Sequence, residues 1–296
     1  MTEDKYLEGV LREQTLAPGS PELKTLQQHR KEVESLLREE FGSSPKIREG
    51  GSKAKHTMIK ASYDLDLTCY FSHEEEEADK NLKEIYESVE TVLAQKYKTE
   101  RKGSAIRILD AEEGTDFHVD VVPGRFVNGE DGDVFLYRSS GDKERLKTNL
   151  DVHIAHIRDS GVVDAIRLMK LWRERKAIKV KTFGLELLVI KLLKEKKKKK
   201  ISEQLIHVWE EFRDNAEDLV VEDPANPNGN DLSELLNKPV KAQLSSGAAL
   251  TLQTIEKLGC EAVFGKLQTD DEERTAALKR ITIGAPAVAK PWRTGE

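Results

Sequence analysis

The stretch at residues 49–71, EGGSKAKHTMIKASYDLDLTCYF, constrains this chain more than any other. Two glycines and a serine predict a tight turn, and the segment Tyr63–Leu67 alternates apolar and acidic residues as a half-buried strand does. Because residues i and i+2 of a strand point to the same face, Asp64 and Asp66 are predicted to project side by side while the leucines enter the core. Two adjacent carboxylates repel each other, which favours a divalent cation between them.

A third carboxylate follows on a later strand. The segments 105–109 and 117–122 are both strand-like, and residues 112–116 between them are typical of a turn. On the second strand Asp120 and His118 share one face, which places Asp120 near the first two acids. Three carboxylates can hold two Mg²⁺ ions, with Mn²⁺ as a substitute, and Ser52 with the flexible backbone of Gly51 can bind phosphates. The plainer interpretation is an exposed Asp-x-Asp turn with an unrelated surface acid, which is what most isolated motifs of this kind are.

Composition excludes several classes of protein. The chain has 296 residues, 38% hydrophobic and 34% charged, with a net charge of −6, so it lacks the overall basic field of a nucleic-acid coat. Cys69 and Cys260 lack metal-ligand spacing, so neither a zinc site nor a disulfide framework is expected. The N-terminal MTEDKYLEGV has no apolar stretch of signal-peptide type, and no run reaches membrane-spanning length. We therefore expect a cytoplasmic protein that does not enter membranes.

The order of elements predicts an α+β fold with two lobes. Helices are predicted at 1–17, 20–40 and 73–96, and strands at 46–49 and 134–137, while Pro123-Gly124 is predicted to end the Asp120 strand. Beyond residue 150 the pattern is helical, with helices at 162–176, 183–194, 202–215, 232–236, 242–258 and 270–280. We predict a catalytic lobe at 1–150 that includes the N-terminal helices, a helical lobe at 151–283 and a loose tail at 284–296. The active site is expected in the cleft between the lobes.

The segments GGSKAKHT, YDLDL and FHVDVV together resemble the catalytic core of the polymerase β-type nucleotidyltransferases. Within that superfamily the pattern is most similar to the oligoadenylate synthetases and cyclic GMP–AMP synthase-like enzymes, including the bacterial CD-NTases. The resemblance implies a phosphate-binding turn at Gly51-Ser52 and three metal carboxylates, which match Asp64, Asp66 and Asp120. Lys55 and Thr57 fit a Lys-Gly-Thr element of the synthetases, but His56 replaces the glycine, so no role is assigned to them.

Three later segments extend the resemblance over roughly residues 45–235. The segment 165–172 resembles the family helix whose lysine reaches the triphosphate, which implies that role for Lys170. The segment 180–188 resembles a Ser-Tyr-x-Leu-Glu-Leu-Leu element, which implies that Thr182 contacts phosphate and that Phe183, without a phenol, stacks on the donor base. The segment 221–230 resembles an Asp-Pro-x-x-Pro-x-x-Asn stretch.

Each of these residues also has an ordinary interpretation. A helix lysine such as Lys170 is usually solvated, and Met169 and Trp172 follow a helical stripe typical of a core. Asp223-Pro224 is more typical of turn structure than of nucleotide contact. The run 196–200 of five lysines is most simply a solvated turn, and a patch for a polyanion is the sharper alternative.

The resemblance implies a Mg²⁺-dependent enzyme that condenses NTPs, ATP with GTP or pyrimidine NTPs, into a short and preferably cyclic second messenger of antiphage signalling, releasing pyrophosphate. Linear 2′–5′ synthesis, nucleotide addition to RNA ends or to a protein, and a non-catalytic nucleotide-binding module stay open as alternatives. The two cysteines cannot build the Cys/His module of the animal DNA sensor. We therefore expect a monomer with no obligatory nucleic-acid activator, switched if at all by a protein partner. Bases, linkage and ring size are not predicted.

Overall fold

The computed structural model describes residues 1–74, 81–109, 118–139 and 144–268. The turn predicted at 112–116, the helix at 270–280 and the tail at 284–296 lie outside these residues. Within them, seven strands form one sheet: β1 (Lys46–Glu49), β2 (Leu65–Phe71), β3 (Lys98–Lys102), β4 (Ala105–Leu109), β5 (His118–Phe126), β6 (Val134–Tyr137) and β7 (Arg145–Thr148). The order is β1-β2-β5-β4-β3, with β6 pairing to the far end of β5 and β7 to β6. The predicted α+β class is confirmed.

The helices of the described residues are α1 (Glu3–Glu13), α2 (Pro21–Phe41), α3 (Gly51–Ala54), α4 (Leu82–Ala94), α5 (Leu150–Arg158), α6 (Val163–Lys176), α7 (Thr182–Leu192), α8 (Ile201–Asp214), α9 (Lys238–Leu258) and α10 (Glu261–Phe264), with 3-10 turns at Ala216–Asp218 and Ser233–Leu236. Local sequence sets several of their beginnings. The hydroxyl of Ser20 accepts a hydrogen bond from the Leu23 N–H at the start of α2, where Pro21 is the first helical residue. Asn81 and Glu84 form a reciprocal capping box at the start of α4. No helix in the described part of the chain is both long and apolar enough to cross a membrane.

The centre of the sheet is the parallel pair β2 and β5, which places the predicted acidic strands side by side. One face of the sheet is apolar and packs against α2 and α4, and its buried residues include Leu65, Leu67, Val119 and Val121. The opposite face therefore receives the alternate, polar residues of the same strands. Burial of the apolar set fixes the register, because a slip of one residue would move the acids into the core.

A second hydrophobic cluster is built from the helices after β7 and from α1. Met169 and Trp172 are fully buried in it, which confirms that they are core residues. Tyr6, Leu7 and Val10 of α1 pack in this helical cluster although they lie at the beginning of the chain. The lobe boundary at residue 150 is a division of the sequence and stays a prediction.

The strand β5 continues through Pro123-Gly124 to Phe126, so the prediction that these two residues end it was wrong. Pairing of β4 to β5 ends at Val121, and pairing of β6 begins at Arg125. Pro123 lies in the gap between these partners, where one side of the strand makes no ladder hydrogen bonds and a missing N–H is tolerated. Gly124 is required for another reason: a Cβ there would lie 2.7 Å from side chains of β6.

His56 lies immediately before the buried Thr57 and has a φ of +62°, the left-handed region that favours glycine. Its side chain is exposed. We expect His56→Gly to raise the free energy of unfolding by about 0.5–1 kcal/mol, because the strain on a side chain in this conformation exceeds the added entropy of the unfolded chain. Ala177, exposed at the end of α6 with a φ of +51°, is the matched control, since Ala177→Gly removes the same strain far from this turn. Equal or lower stability of His56→Gly in urea denaturation would contradict the expectation.

Candidate active site

The turn at Gly50, Gly51 and Ser52, called the serine turn below, lies directly against β2, the strand that carries Asp66. The N–H of Gly50 donates to the backbone oxygen of Asp66 at 2.9 Å, and Gly51 begins α3 with a φ of +55°. A Cβ on Gly51 would lie 1.5 Å from Oδ2 of Asp66, so no other residue fits here without displacing that carboxylate. Ser52 is buried, and its Oγ has no hydrogen-bond partner among the described residues. A buried hydroxyl without a partner beside a carboxylate is a ready donor for a bound anion.

The structure brings the three predicted aspartates together where β2 and β5 begin, close enough for their charges to act on one another. Asp66 of β2 lies directly opposite Asp120 of β5. Asp64 precedes β2, which begins at Leu65, so the prediction that both early acids are on the strand holds only for Asp66. Burial, followed by the charges of Asp64 and Asp120, raises the pKa of Asp66 to about 7, while Lys55 and Lys170 act in the opposite direction. The site therefore carries an excess of negative charge that is only partly compensated.

This donor set fits a hard divalent cation. Carboxylate oxygens are the protein ligands that Mg²⁺ and Mn²⁺ prefer, and positive charge would offset the burial and the charges of Asp64 and Asp120, which together raise the pKa of Asp66. In the described residues, no three His, Cys, Asp or Glu side chains converge closely enough to hold a metal as they stand. One reason is visible at Asp120, whose Oδ1 and Oδ2 accept hydrogen bonds from Nε and Nη2 of Arg107, each at 2.8 Å. His118 Nε2 lies 3.8 Å from Oδ2 of Asp64, and the imidazole is partly exposed.

Lys170 reaches the same region from α6 and is buried, not solvated. Its Nζ donates to the backbone oxygen of Thr57 at 2.8 Å. Burial lowers the pKa of Lys170, while the charges of Glu186 and Asp64 raise it. A buried lysine in the middle of α6 whose charge interacts with Glu186 and Asp64 could also neutralise a polyphosphate, so its predicted role stays a prediction.

Glu186 of α7 is a buried acid to which the sequence assigned no role. It is fully buried, and its carboxylate accepts hydrogen bonds from the Thr57 hydroxyl at 2.6 Å and from Lys55 Nζ at 3.0 Å. These contacts tie the residues just after the serine turn to α7. The signal was present in the sequence as a lone acid inside the apolar run FGLELLVI, because a charge on such a helix is retained only with partners.

Thr182 and Phe183 lie at the beginning of α7, and each already has partners within the protein. The Thr182 hydroxyl accepts a hydrogen bond from Nη1 of Arg173 at 2.7 Å. Phe183 is partly buried, with Lys55 Nζ 5.1 Å from its ring centroid and the ring of His153 4.8 Å away. The residues are oriented rather than free, and their predicted contacts with a phosphate and a base stay predictions.

The Asp-Pro segment behaves as a structural element. Asp223 is buried, and its carboxylate is bonded to Nε2 of His153 at 2.6 Å and accepts from Nδ2 of Asn230 at 2.7 Å. Asn230 also donates to the backbone oxygen of Lys147 in β7. The first and last residues of the motif thus meet each other, and together they join the segment after α8 to the sheet.

We expect Asp223→Ala to lower the free energy of unfolding by about 2–4 kcal/mol, because it leaves buried partners unpaired. Burial alone raises the pKa of Asp223, but the hydrogen bonds from His153 and Asn230 outweigh it and lower the pKa from 3.8 to about 2. A depressed carboxyl pKa stabilises the folded state above the unfolded pKa, and this contribution of about 2 kcal/mol is lost as pH falls from about 4 to 2.

Urea denaturation at several pH values checks this expectation. The difference between the wild-type protein and Asp223→Ala is expected to narrow below pH 4. Asp214→Ala is the control, since the Asp214 carboxylate is exposed and pairs, among the described residues, with its neighbour Arg213. A difference that stays constant down to pH 2 would show that the Asp223 carboxylate is not the source of the stability.

By sequence, the chain matches no protein-family model and no curated protein. By structure it matches solved CD-NTases along most of its length. CdnC of E. coli MS115-1, solved in complex with HORMA-deltaN, is 19% identical with a TM-score of 0.65, covering 90% of this chain and 99% of that chain. CdnG of Bradyrhizobium diazoefficiens, solved with GTP, is 16% identical with a TM-score of 0.65, covering 95% and 99%. DncV of Vibrio cholerae, a cyclic AMP-GMP synthase, is 17% identical with a TM-score of 0.59, covering 91% and 86%.

These matches show that the chain has the nucleotidyltransferase fold of the CD-NTases. The predicted bilobal α+β fold is therefore confirmed. At these identities the likeness shows the fold and does not by itself assign the chemistry.

Proposed function

We propose that this protein is a divalent-metal-dependent nucleotidyltransferase that joins NTPs and releases pyrophosphate. The observation that carries the proposal is the position of Asp66 and Asp120 on one sheet face, with Asp64 just before β2 and the Gly51-Ser52 turn directly against Asp66. Phosphoryl transfer to a hydroxyl is mostly positioning and charge stabilisation, which a carboxylate-bound metal beside a phosphate-binding turn supplies. The CD-NTase fold supports the same conclusion, since one match is a cyclic AMP-GMP synthase and another was solved with GTP.

The roles of the residues follow from their positions. Asp64, Asp66 and Asp120 would hold Mg²⁺ or Mn²⁺, which when bound polarises the phosphates and acidifies the attacking hydroxyl. Ser52 would donate its hydroxyl, which has no partner among the described residues, to a phosphate oxygen, and Lys170 would add a positive charge beside the Thr57 backbone. Thr182 and Phe183 are the first two residues of α7. There Thr182 would contact a phosphate and Phe183 would stack on a base.

We further propose that the product is a short cyclic oligonucleotide, a signal of the antiphage kind, and that a protein partner regulates its synthesis. The support for the first part is that DncV is a cyclic AMP-GMP synthase, and the support for the second is the HORMA complex of CdnC. Both come from proteins of the same fold and low identity. Identification of the product determines which bases the enzyme joins.

The test is incubation of purified protein with all four labelled NTPs and Mg²⁺ or Mn²⁺, followed by phosphatase and mass spectrometry. A phosphatase-resistant oligonucleotide and released pyrophosphate are expected. A phosphatase-sensitive ladder would point to linear synthesis, and label on RNA or on a protein would point to end addition. Asp64→Asn is the inactive control, with Asp159→Asn, an exposed acid paired with Arg158, as its matched acid. Activity that survives Asp64→Asn would overturn the site.

A further inference from the structure

Arg107 lies on the same face of the sheet as Asp66 and Asp120. Neither the sequence resemblance nor the proposed reaction gives it a role. It lies on β4 directly opposite Asp120 of β5, and Glu100 of β3 lies opposite it on the other side. With Asp66 of β2, these residues form one row across four adjacent strands, and a row of paired positions shares one face. Along this row the acids Asp66 and Asp120 are followed by the cation Arg107 and then by a further acid, Glu100.

The guanidinium of Arg107 pairs side-on with the carboxylate of Asp120 through two hydrogen bonds, a geometry called the fork below. Nε and Nη2 of Arg107 donate to separate oxygens of Asp120, both at 2.8 Å. Both side chains are largely shielded, with 27% and 16% of their surface exposed. A bidentate guanidinium occupies both carboxylate oxygens and places a full positive charge where a divalent ion would need to approach.

The row also holds a second acceptor for the guanidinium. Glu100 lies directly opposite Arg107 on β3. The Glu100 side chain is 51% exposed and pairs with Lys102 of its own strand. Arg107 can therefore exchange Asp120 for Glu100 by moving its side chain along the row, with no change of the sheet.

We propose that Arg107 and the divalent cation compete for Asp120, and that Glu100 receives Arg107 when the cation binds. This rests on the proposed metal site at Asp64, Asp66 and Asp120. Arg107 keeps Asp120 oriented and neutralised while the cation is absent, and it thereby sets the concentration at which the cation completes the site. Arg107 is a positioning residue, since it acts through Asp120 and not on substrate.

The test measures Mn²⁺ binding to the nucleotide-free protein, by calorimetry and by the electron paramagnetic resonance signal of free Mn²⁺. Arg107→Gln is expected to bind Mn²⁺ about tenfold more tightly than the wild-type protein, the size of a single repulsive charge a few ångströms from a divalent ion in a solvated site. Arg107→Lys keeps the charge but loses the fork, and an intermediate affinity is expected. Glu100→Gln removes the second acceptor and is expected to weaken binding several-fold.

Two further outcomes separate this proposal from the proposed function. Equal or weaker Mn²⁺ binding by Arg107→Gln, in a protein where Asp120→Asn does weaken binding, would overturn the competition and leave the metal site standing. Mn²⁺ binding that neither Asp66→Asn nor Asp120→Asn changes would overturn the metal site, and the competition with it. Arg107→Gln and Arg107→Lys keep the test valid if one of them folds poorly, since each predicts a different change in Mn²⁺ affinity.

Discussion

Asp66→Asn is expected to abolish nucleotide condensation and at the same time to stabilise the protein in the absence of divalent metal. Loss of one carboxylate removes several kcal/mol of metal-dependent charge stabilisation, so the rate should fall by at least about a thousandfold. The gain in stability has a separate cause. Burial and the charges of Asp64 and Asp120 make ionised Asp66 unfavourable in the folded state, and a neutral amide of the same shape removes that penalty.

The pH dependence distinguishes this explanation from a general effect of the substitution. The folded-state pKa of Asp66 is raised from 3.8 to about 7, so the folded protein holds this proton more tightly than the unfolded chain does. Stability is therefore lost as pH rises from about 4 to 7, and the loss is complete above pH 7. We expect Asp66→Asn to equal the wild-type protein below pH 4 and to exceed it by about 1–3 kcal/mol at pH 8, a range reduced because the carboxylate retains some solvent access.

Thermal and urea unfolding in EDTA and in Mg²⁺ measure both effects in one experiment. Mg²⁺ should stabilise the wild-type protein and leave Asp66→Asn nearly unchanged, because binding to the folded state alone raises stability. Asp159→Asn, an exposed acid paired with Arg158, should behave as wild type in every condition. An Asp66→Asn protein that is less stable than wild type at pH 8 in EDTA would show that the ionised Asp66 carboxylate does not destabilise the folded protein.

Much of the fold and the centre of the site could be predicted because they depend on local periodicity. Asp66 and Asp120 each alternate with buried apolar residues, and that alternation alone sets the face of the sheet on which they lie. The parallel pairing that makes them neighbours is a long-range contact, but two buried strands with acids at their beginnings leave few other arrangements.

What the sequence could not supply is the set of partners chosen by side chains. Arg107 reads as one polar residue of an alternating strand, and only the register of β4 on β5 shows that it faces Asp120. Glu186 and Thr57 are separated by 129 residues, and nothing local links them. The prediction at Pro123 was wrong for the opposite reason. In the local sequence a proline indicates the end of a strand, but tertiary structure decides where two partner strands leave a gap that tolerates it.

The largest effect on stability is expected at Glu186. Its carboxylate is fully buried and joins Lys55 and Thr57, and Lys170 donates to the backbone oxygen of Thr57 from a neighbouring helix. Glu186→Ala leaves the Lys55 ammonium and the Thr57 hydroxyl without a partner in a shielded position, which is expected to lower the free energy of unfolding by about 3–5 kcal/mol. Glu186→Gln keeps the volume and one acceptor oxygen, so a smaller loss of about 1–2 kcal/mol is expected.

A double-mutant cycle checks that the loss belongs to the pair. Lys55→Met combined with Glu186→Leu removes both charges together, and the double variant should be more stable than the sum of the single losses predicts, because the Lys55 ammonium is not left without its carboxylate. Additive losses would contradict a direct pair. Since Lys55 and Thr57 immediately follow the serine turn, Glu186→Gln should also raise the KM for NTP with a smaller change in kcat, as expected when a turn that binds ground-state phosphate is loosened. An unchanged KM in a folded Glu186→Gln protein would separate the buried pair from the phosphate turn and make its role purely one of stability.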